Sequence, residues 1–195
     1  MNPLNSVKGT ITAGVVLAVL IASFSMGIGF NVNTFIVWIH VLAGITWIGL
    51  LYYFNFVQVP ALADAAADEG GPGGAGITKY VAPRALWWFR WGAVVTWVSG
   101  AAYLGHLGIL SDAFMLRGMG GFIIGIGAWL GTIMLFNVWV LIWPNQKKIL
   151  GMVEATADEI AKARRVAFLA SRTNTLLSIP MLMSMVGYGH GGFFL

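Results

Sequence analysis

The chain has 195 residues, of which 58% are hydrophobic and only 9% charged, with no cysteine and a formal net charge of +4. A soluble domain carries about 25% charged residues, so this composition excludes a molecule with a water-facing surface all round. The modest positive charge needs no nucleic acid to explain it.

A helix that crosses a bilayer needs ~20 mostly apolar residues. Five stretches qualify, at about 9–30, 34–57, 86–110, 119–143 and 174–194, and they predict an all-α integral membrane bundle forming one domain over 1–195. The first is longer than the 7–15-residue core of a secretory signal, and "SMGIGFNVN" offers no small-x-small cleavage motif, so a retained helix is expected. The second opens with "WIHVLAGITWIG", which places the imidazole of His40 inside an apolar run, with Gly44 one turn further along. Residues 63–76, "ADAAADEGGPGGAG", read as a flexible connection. The third stretch carries Arg90 near its start and His106 near its end, and in the fourth Gly121 with Gly125 and Gly127 with Gly131 form small-xxx-small pairs that let helices approach. Between about 147 and 172, Ile149, Val153 and Ile160 recur at near-helical spacing, and Asp158 is one turn from Lys162, so a separate amphipathic surface helix is expected. The last stretch ends with Gly187 and His190.

Charge orients this bundle. Five spans place Lys8, Lys79, Arg84, Lys147, Lys148, Lys162, Arg164, Arg165 and Arg172 on one side, with Arg90 just inside the third helix, and leave only Arg117 opposite. Basic residues accumulate on the cytoplasmic side. The N-terminus is therefore expected inside and the C-terminus outside, in a multi-pass protein of a bacterial inner membrane. The same basic face suits anionic lipid.

With that topology His40 lies about six residues from the outer end of its helix, ~9 Å at 1.5 Å per residue, and His106 and His190 lie about four residues from theirs, ~6 Å. Three imidazoles at one level could hold haem b, copper or zinc. Ionisable groups inside spans tend to be functional, although an interfacial histidine bonded to a neighbour or to water is the plainer role for each. His40, the deepest, is the expected first ligand, with His190 or His106 opposite; Gly44 and Gly187 would let a porphyrin approach a backbone. Toward the cytoplasm, Asn55, Arg90, Asn137, Arg172 and Asn174 form a second polar group, read either as inter-helix hydrogen bonding or as a small-molecule or quinone pocket.

Four segments in order carry a family resemblance: "WIHVLAGITWIGLLYYFNFVQVP", "KYVAPRALWWFRWGAVVTWVSG", "NVWVLIWPNQKKILG" and "SRTNTLLSIPMLMSMVG". Spread over 34–190, they resemble the urate oxidase N-terminal membrane domain, the membrane part of bacterial cytochrome-c-linked urate oxidases. The resemblance implies a membrane redox role with electrons passed to cytochrome c on the periplasmic side. Without cysteine the chain has no Cys-x-x-Cys-His haem attachment, so a short form lacking the cytochrome c domain is expected, with a separate cytochrome c or respiratory complex as partner. Longer members carry a His-Gly-Gly-Gly-Phe stretch, and a histidine and glutamate near the third helix, where this chain has "GGPGGAGITKY" and "LWWFRWGAV"; this argues against urate oxidation by the chain alone. The reading is a haem-binding electron relay. Its alternative is a cofactor-free accessory subunit that packs into a larger membrane complex.

Overall fold

The computed structural model describes residues 2–25 and 31–192, and all regular structure among them is helical. The chain divides into two compact units, Met1–Val32 and Asn33–Leu195. In the first, a short 3-10 turn at Pro3–Asn5 precedes α1, Val7–Ser25. Its apolar side chains are exposed along the helix. Positions 26–30 of the first expected span, and 193–194 of the last, lie outside the described residues.

The second unit is a bundle of α2 (Val32–Tyr53), α3 (Val59–Ala67), α4 (Ala82–His106), α5 (Leu110–Phe114), α6 (Gly118–Phe136), α7 (Trp143–Ile149) and α8 (Ala157–Gly189). Three helical runs are long and apolar enough to cross a membrane: Val7–Phe24, Val32–Ala67 and Gly118–Ile149. The third and fifth expected spans correspond to α4 and α8, which are long but less apolar: the first half of α8 carries exposed charges such as Lys162, Arg164 and Arg165, and both helices also turn polar side chains inward. Thr96 and Ser99 of α4, and Asn174, Ser178 and Ser184 of α8, are buried, while Ile45, Leu176 and Ile179 point outward. Polar inside and apolar outside is the arrangement a lipid solvent selects.

Three π turns interrupt the helices, at Phe54–Gln58, Ile77–Val81 and Asn137–Ile142. Each is followed within two residues by a proline: Pro60, Pro83 and Pro144. A proline inside an α-helix lacks the N–H for its own bond, and its ring strikes the carbonyl four residues back. Widening the preceding turn moves that carbonyl away, so the helix continues where the sequence suggested a stop.

The segment between 147 and 172 departs from expectation. α7 ends at Ile149, Gly151 turns the chain with a φ of +67°, and α8 then runs unbroken through Pro180 to Gly189. The surface segment and the fifth span are thus one helix from Ala157 onward. A capping box starts it: the Glu159 amide donates to Thr156 Oγ1 at 3.3 Å and the Thr156 amide donates to Glu159 Oε2 at 2.9 Å. Glu159 pairs with Lys148 at 3.5 Å, the one ion pair among the described residues, so the expected Asp158–Lys162 pair does not form.

Trp47, Leu51, Phe89, Met134, Val138 and Met181 make the main core, and Leu104, Ala113 and Ile124 a smaller one. The glycine pairs of α6 work as close-approach sites. A methyl group at Gly121 would stand 3.0 Å from the Asp112 carbonyl of α5, and one at Gly127 would stand 2.8 Å from Ser184 Oγ of α8.

Candidate functional site

The surroundings of His40 are built by small residues on α4. Gly92, Thr96 and Gly100 recur every fourth position and form one stripe along that helix. A methyl at Gly92 would lie 3.3 Å from the Trp47 backbone nitrogen, and Gly44 faces the Thr96 methyl at 3.8 Å. At Gly100 the same methyl would lie 2.9 Å from His40 Cε1. The imidazole therefore rests on a bare stretch of α4 backbone.

His40 Nδ1 lies 2.8 Å from the Thr96 carbonyl and 3.3 Å from Ser99 Oγ. A carbonyl can only accept, so Nδ1 donates and Nε2 keeps the lone pair. The Ser99 hydroxyl is itself bonded to its own helix, 2.6 Å from the Val95 carbonyl. His190 repeats the pattern in a more open setting. It caps the end of α8 and is exposed, with Nδ1 2.9 Å from the Val186 carbonyl.

Register sets the levels of the three histidines. Tyr52 Oη bonds Ser178 Oγ at 2.9 Å, and Asn55 Nδ2 donates to Ser171 Oγ at 2.8 Å, so α2 and α8 run antiparallel. His40 and His190 each lie twelve residues from the Tyr52–Ser178 pair, ~18 Å along their helices. They share a level. His106 lies six residues beyond Gly100, which meets His40, and so stands ~9 Å further out, exposed at the end of α4. Among the described residues no group of three or more His, Cys, Asp or Glu is placed to hold a metal ion. The three-histidine copper or zinc site does not form, because His106 is a turn and a half past the other two. Gly187 is buried on α8, and its carbonyl accepts from the amides of His190 and Gly192, which close the helix end.

The second expected group separates into four. Asn137, on the third π turn, donates to Asn174 Oδ1 at 2.8 Å, and Asn174 donates to the Met134 carbonyl at 3.0 Å. This ties α6 and the π turn to α8, as the inter-helix reading expects. Arg90 is buried with its guanidinium carbon 3.3 Å from the centre of the Trp143 ring, and its Nε and Nη1 have no hydrogen-bond partner. Arg172 is exposed and lies 5.2 Å from the Phe168 ring. Of these five residues, Asn55 lines a cavity.

That cavity is a cleft of about 710 Å³ between the first π turn, α3, the start of α4, α7 and the first half of α8. Phe54, Leu86, Phe89, Ile142 and Phe168 give it apolar walls; Asn55, Gln58, Arg164 and Arg165 supply polar groups. Asn55 is satisfied by the Leu51 carbonyl and Ser171, whereas the buried Gln58 Oε1 has no partner. Gly100 carried no signal in the sequence, and Gln58 showed there only as a further polar residue beside Asn55. Their roles depend on which helix lies opposite.

Comparison with known proteins follows the same geography. Residues 107–194 match the family model described as urate oxidase N-terminal. The match covers α5 to α8 and contains the quoted segments at 137–151 and 171–187; the two earlier segments, in α2 and α4, lie outside it. It supports the family suspected from sequence. No curated protein and no solved structure matches the chain.

Proposed function

We propose that this chain, matched to the urate oxidase N-terminal family over 107–194, is a multi-pass redox protein of a bacterial inner membrane. It crosses five times with the N-terminus cytoplasmic, holds haem b through His40 and His190, and passes electrons to a separate cytochrome c or respiratory partner. The observation that carries this reading is the matched state of the two imidazoles. Both Nδ1 atoms donate to main-chain carbonyls, at Thr96 and Val186, and both Nε2 atoms are left as ligand nitrogens at one level on antiparallel helices. Hydrogen-bonded Nδ1 is the usual second partner of a metal-bound histidine, and it raises the basicity of Nε2. Haem, when bound, supplies one-electron chemistry at the iron. The chain's residues orient the ligands: the Thr96 carbonyl and Gly100 hold the edge of the His40 ring against α4, and the Val186 carbonyl fixes His190. Ten of the eleven basic residues fall on the opposite side in the five-span topology, which leaves the histidine end facing the periplasm.

A second reading, a cofactor-free subunit of a larger membrane complex, is favoured by the seam itself. Gly44 packs on Thr96 and Gly100 on His40, so that glycine and histidine alike already serve helix contact. A reduced-minus-oxidised spectrum of the detergent-purified protein separates the two. The relay requires a haem b signal that is lost in His40→Ala and in His190→Ala and retained in His106→Ala. Protein free of haem and still folded would establish the accessory subunit instead.

A further inference from the structure

The cleft at the basic end is unused by the histidine pair, and its chemistry describes an occupant. Its walls are hydrocarbon, from Phe54, Leu86, Phe89, Ile142 and Phe168. Arg164 and Arg165 line it from α8, exposed and without an ion-pair partner among the described residues. No aspartate or glutamate lines it. Gln58 is 8% exposed, on the π turn that forms one wall, with Oε1 unpaired. A buried acceptor without a partner is costly, and calls for a donor from whatever fills the space.

We infer that this cleft binds one anionic phospholipid with a hydroxyl-bearing headgroup, such as phosphatidylglycerol, its phosphate on Arg164 and Arg165, its hydroxyl on Gln58 Oε1 and an acyl chain along the phenylalanine walls. Each part of the lipid answers one feature of the cleft. Free phosphate would leave the apolar walls bare, and a neutral lipid would leave the two guanidinium groups unpaired. Basic pockets between spanning helices on the cytoplasmic side are suited to anionic headgroups. Gln58 closes that π turn, two residues ahead of Pro60. The inference rests on the membrane reading and is independent of haem.

The test uses the full chain, solubilised from vesicles of equal phosphatidylglycerol and phosphatidylcholine, with retained lipid counted by native mass spectrometry. Wild type is expected to keep one phosphatidylglycerol in preference to phosphatidylcholine. The Arg164→Gln/Arg165→Gln variant should lose that preference by about thirtyfold, and Arg164→Lys/Arg165→Lys should keep most of it. In a second set of vesicles, of equal phosphatidylglycerol and phosphatidic acid, which lacks the glycerol hydroxyls of the headgroup, Gln58→Leu should narrow the preference for phosphatidylglycerol. Equal retention of both vesicle lipids by wild type, an unchanged glutamine variant, or displacement of the lipid by inorganic phosphate alone would each overturn the inference. Circular dichroism establishes that each variant is folded. Extraction of wild type from vesicles by alkaline carbonate would instead refute the membrane reading itself.

Discussion

The two ends of the bundle use opposite devices. At the histidine end, Gly92, Thr96 and Gly100 strip α4 of bulk, and α2 closes onto it until an imidazole touches bare backbone. At the basic end, π turns ahead of Pro60, Pro83 and Pro144 widen the helices, and a cleft of about 710 Å³ remains. Small residues draw helices together because dispersion and hydrogen bonding, not water exclusion, drive packing in lipid. Wide turns part them, because the extra residue displaces backbone that would otherwise pack. One end is thus closely packed; the other holds a cleft beside an unpaired amide oxygen.

The contrast can be broken most severely at the pin between them. Asn174→Ala removes the partner of both Asn137 and the Met134 carbonyl, and leaves a buried amide unpaired. A loss of about 3 kcal/mol is expected, read as a lower midpoint in denaturant unfolding in detergent. Next is the seam. Gly100→Val places a side chain against His40 and should cost about 2 kcal/mol, while Gly105→Val, which meets nothing within 4 Å, should change the midpoint little. If both glycines respond alike, the seam is no tighter than the helix end beyond it.

Smaller effects test the start of α8, which bounds the open end. Thr156→Ala removes the N-cap and should cost about 1 kcal/mol. The smallest effect is one of pH. The Thr156 amide first, and then Lys148, hold the Glu159 carboxyl below its ordinary value. A depressed carboxylate contributes its stabilisation above the unfolded value and loses it as pH falls through the folded one. Acidification below the ordinary glutamate range should therefore speed amide exchange in the first turn of α8, and Glu159→Gln should remove that dependence. Exchange in the seam should be indifferent to both changes.

Much of this was legible beforehand, for identifiable reasons. Apolar runs of bilayer length announce helices, and α1, α2 and α6 lie where such runs occur. The glycine pairs of α6 packed against neighbours as their spacing implied, because that spacing repeats on one helical face. Other features were hidden. Three prolines near helix ends were visible, but a proline can end, kink or widen a helix, and packing decides which. His106 looked level with the other histidines when helices were counted from their ends. Its separation emerged only from the contact between Gly100 and His40. Arg90 read as one member of a polar group, and only the fold showed that it lies against Trp143, where guanidinium and indole stack.

The sequence by itself determined that this is a helical, lipid-compatible chain poor in charge, since composition and hydropathy require no knowledge of neighbours. Tertiary structure alone decided that α2 closes on α4 over Gly100, that Asn137 finds Asn174, and that Gln58 is left facing an open cleft. Those outcomes depend on which faces of which helices meet, and a linear pattern of apolar residues does not encode that when nearly every face is apolar.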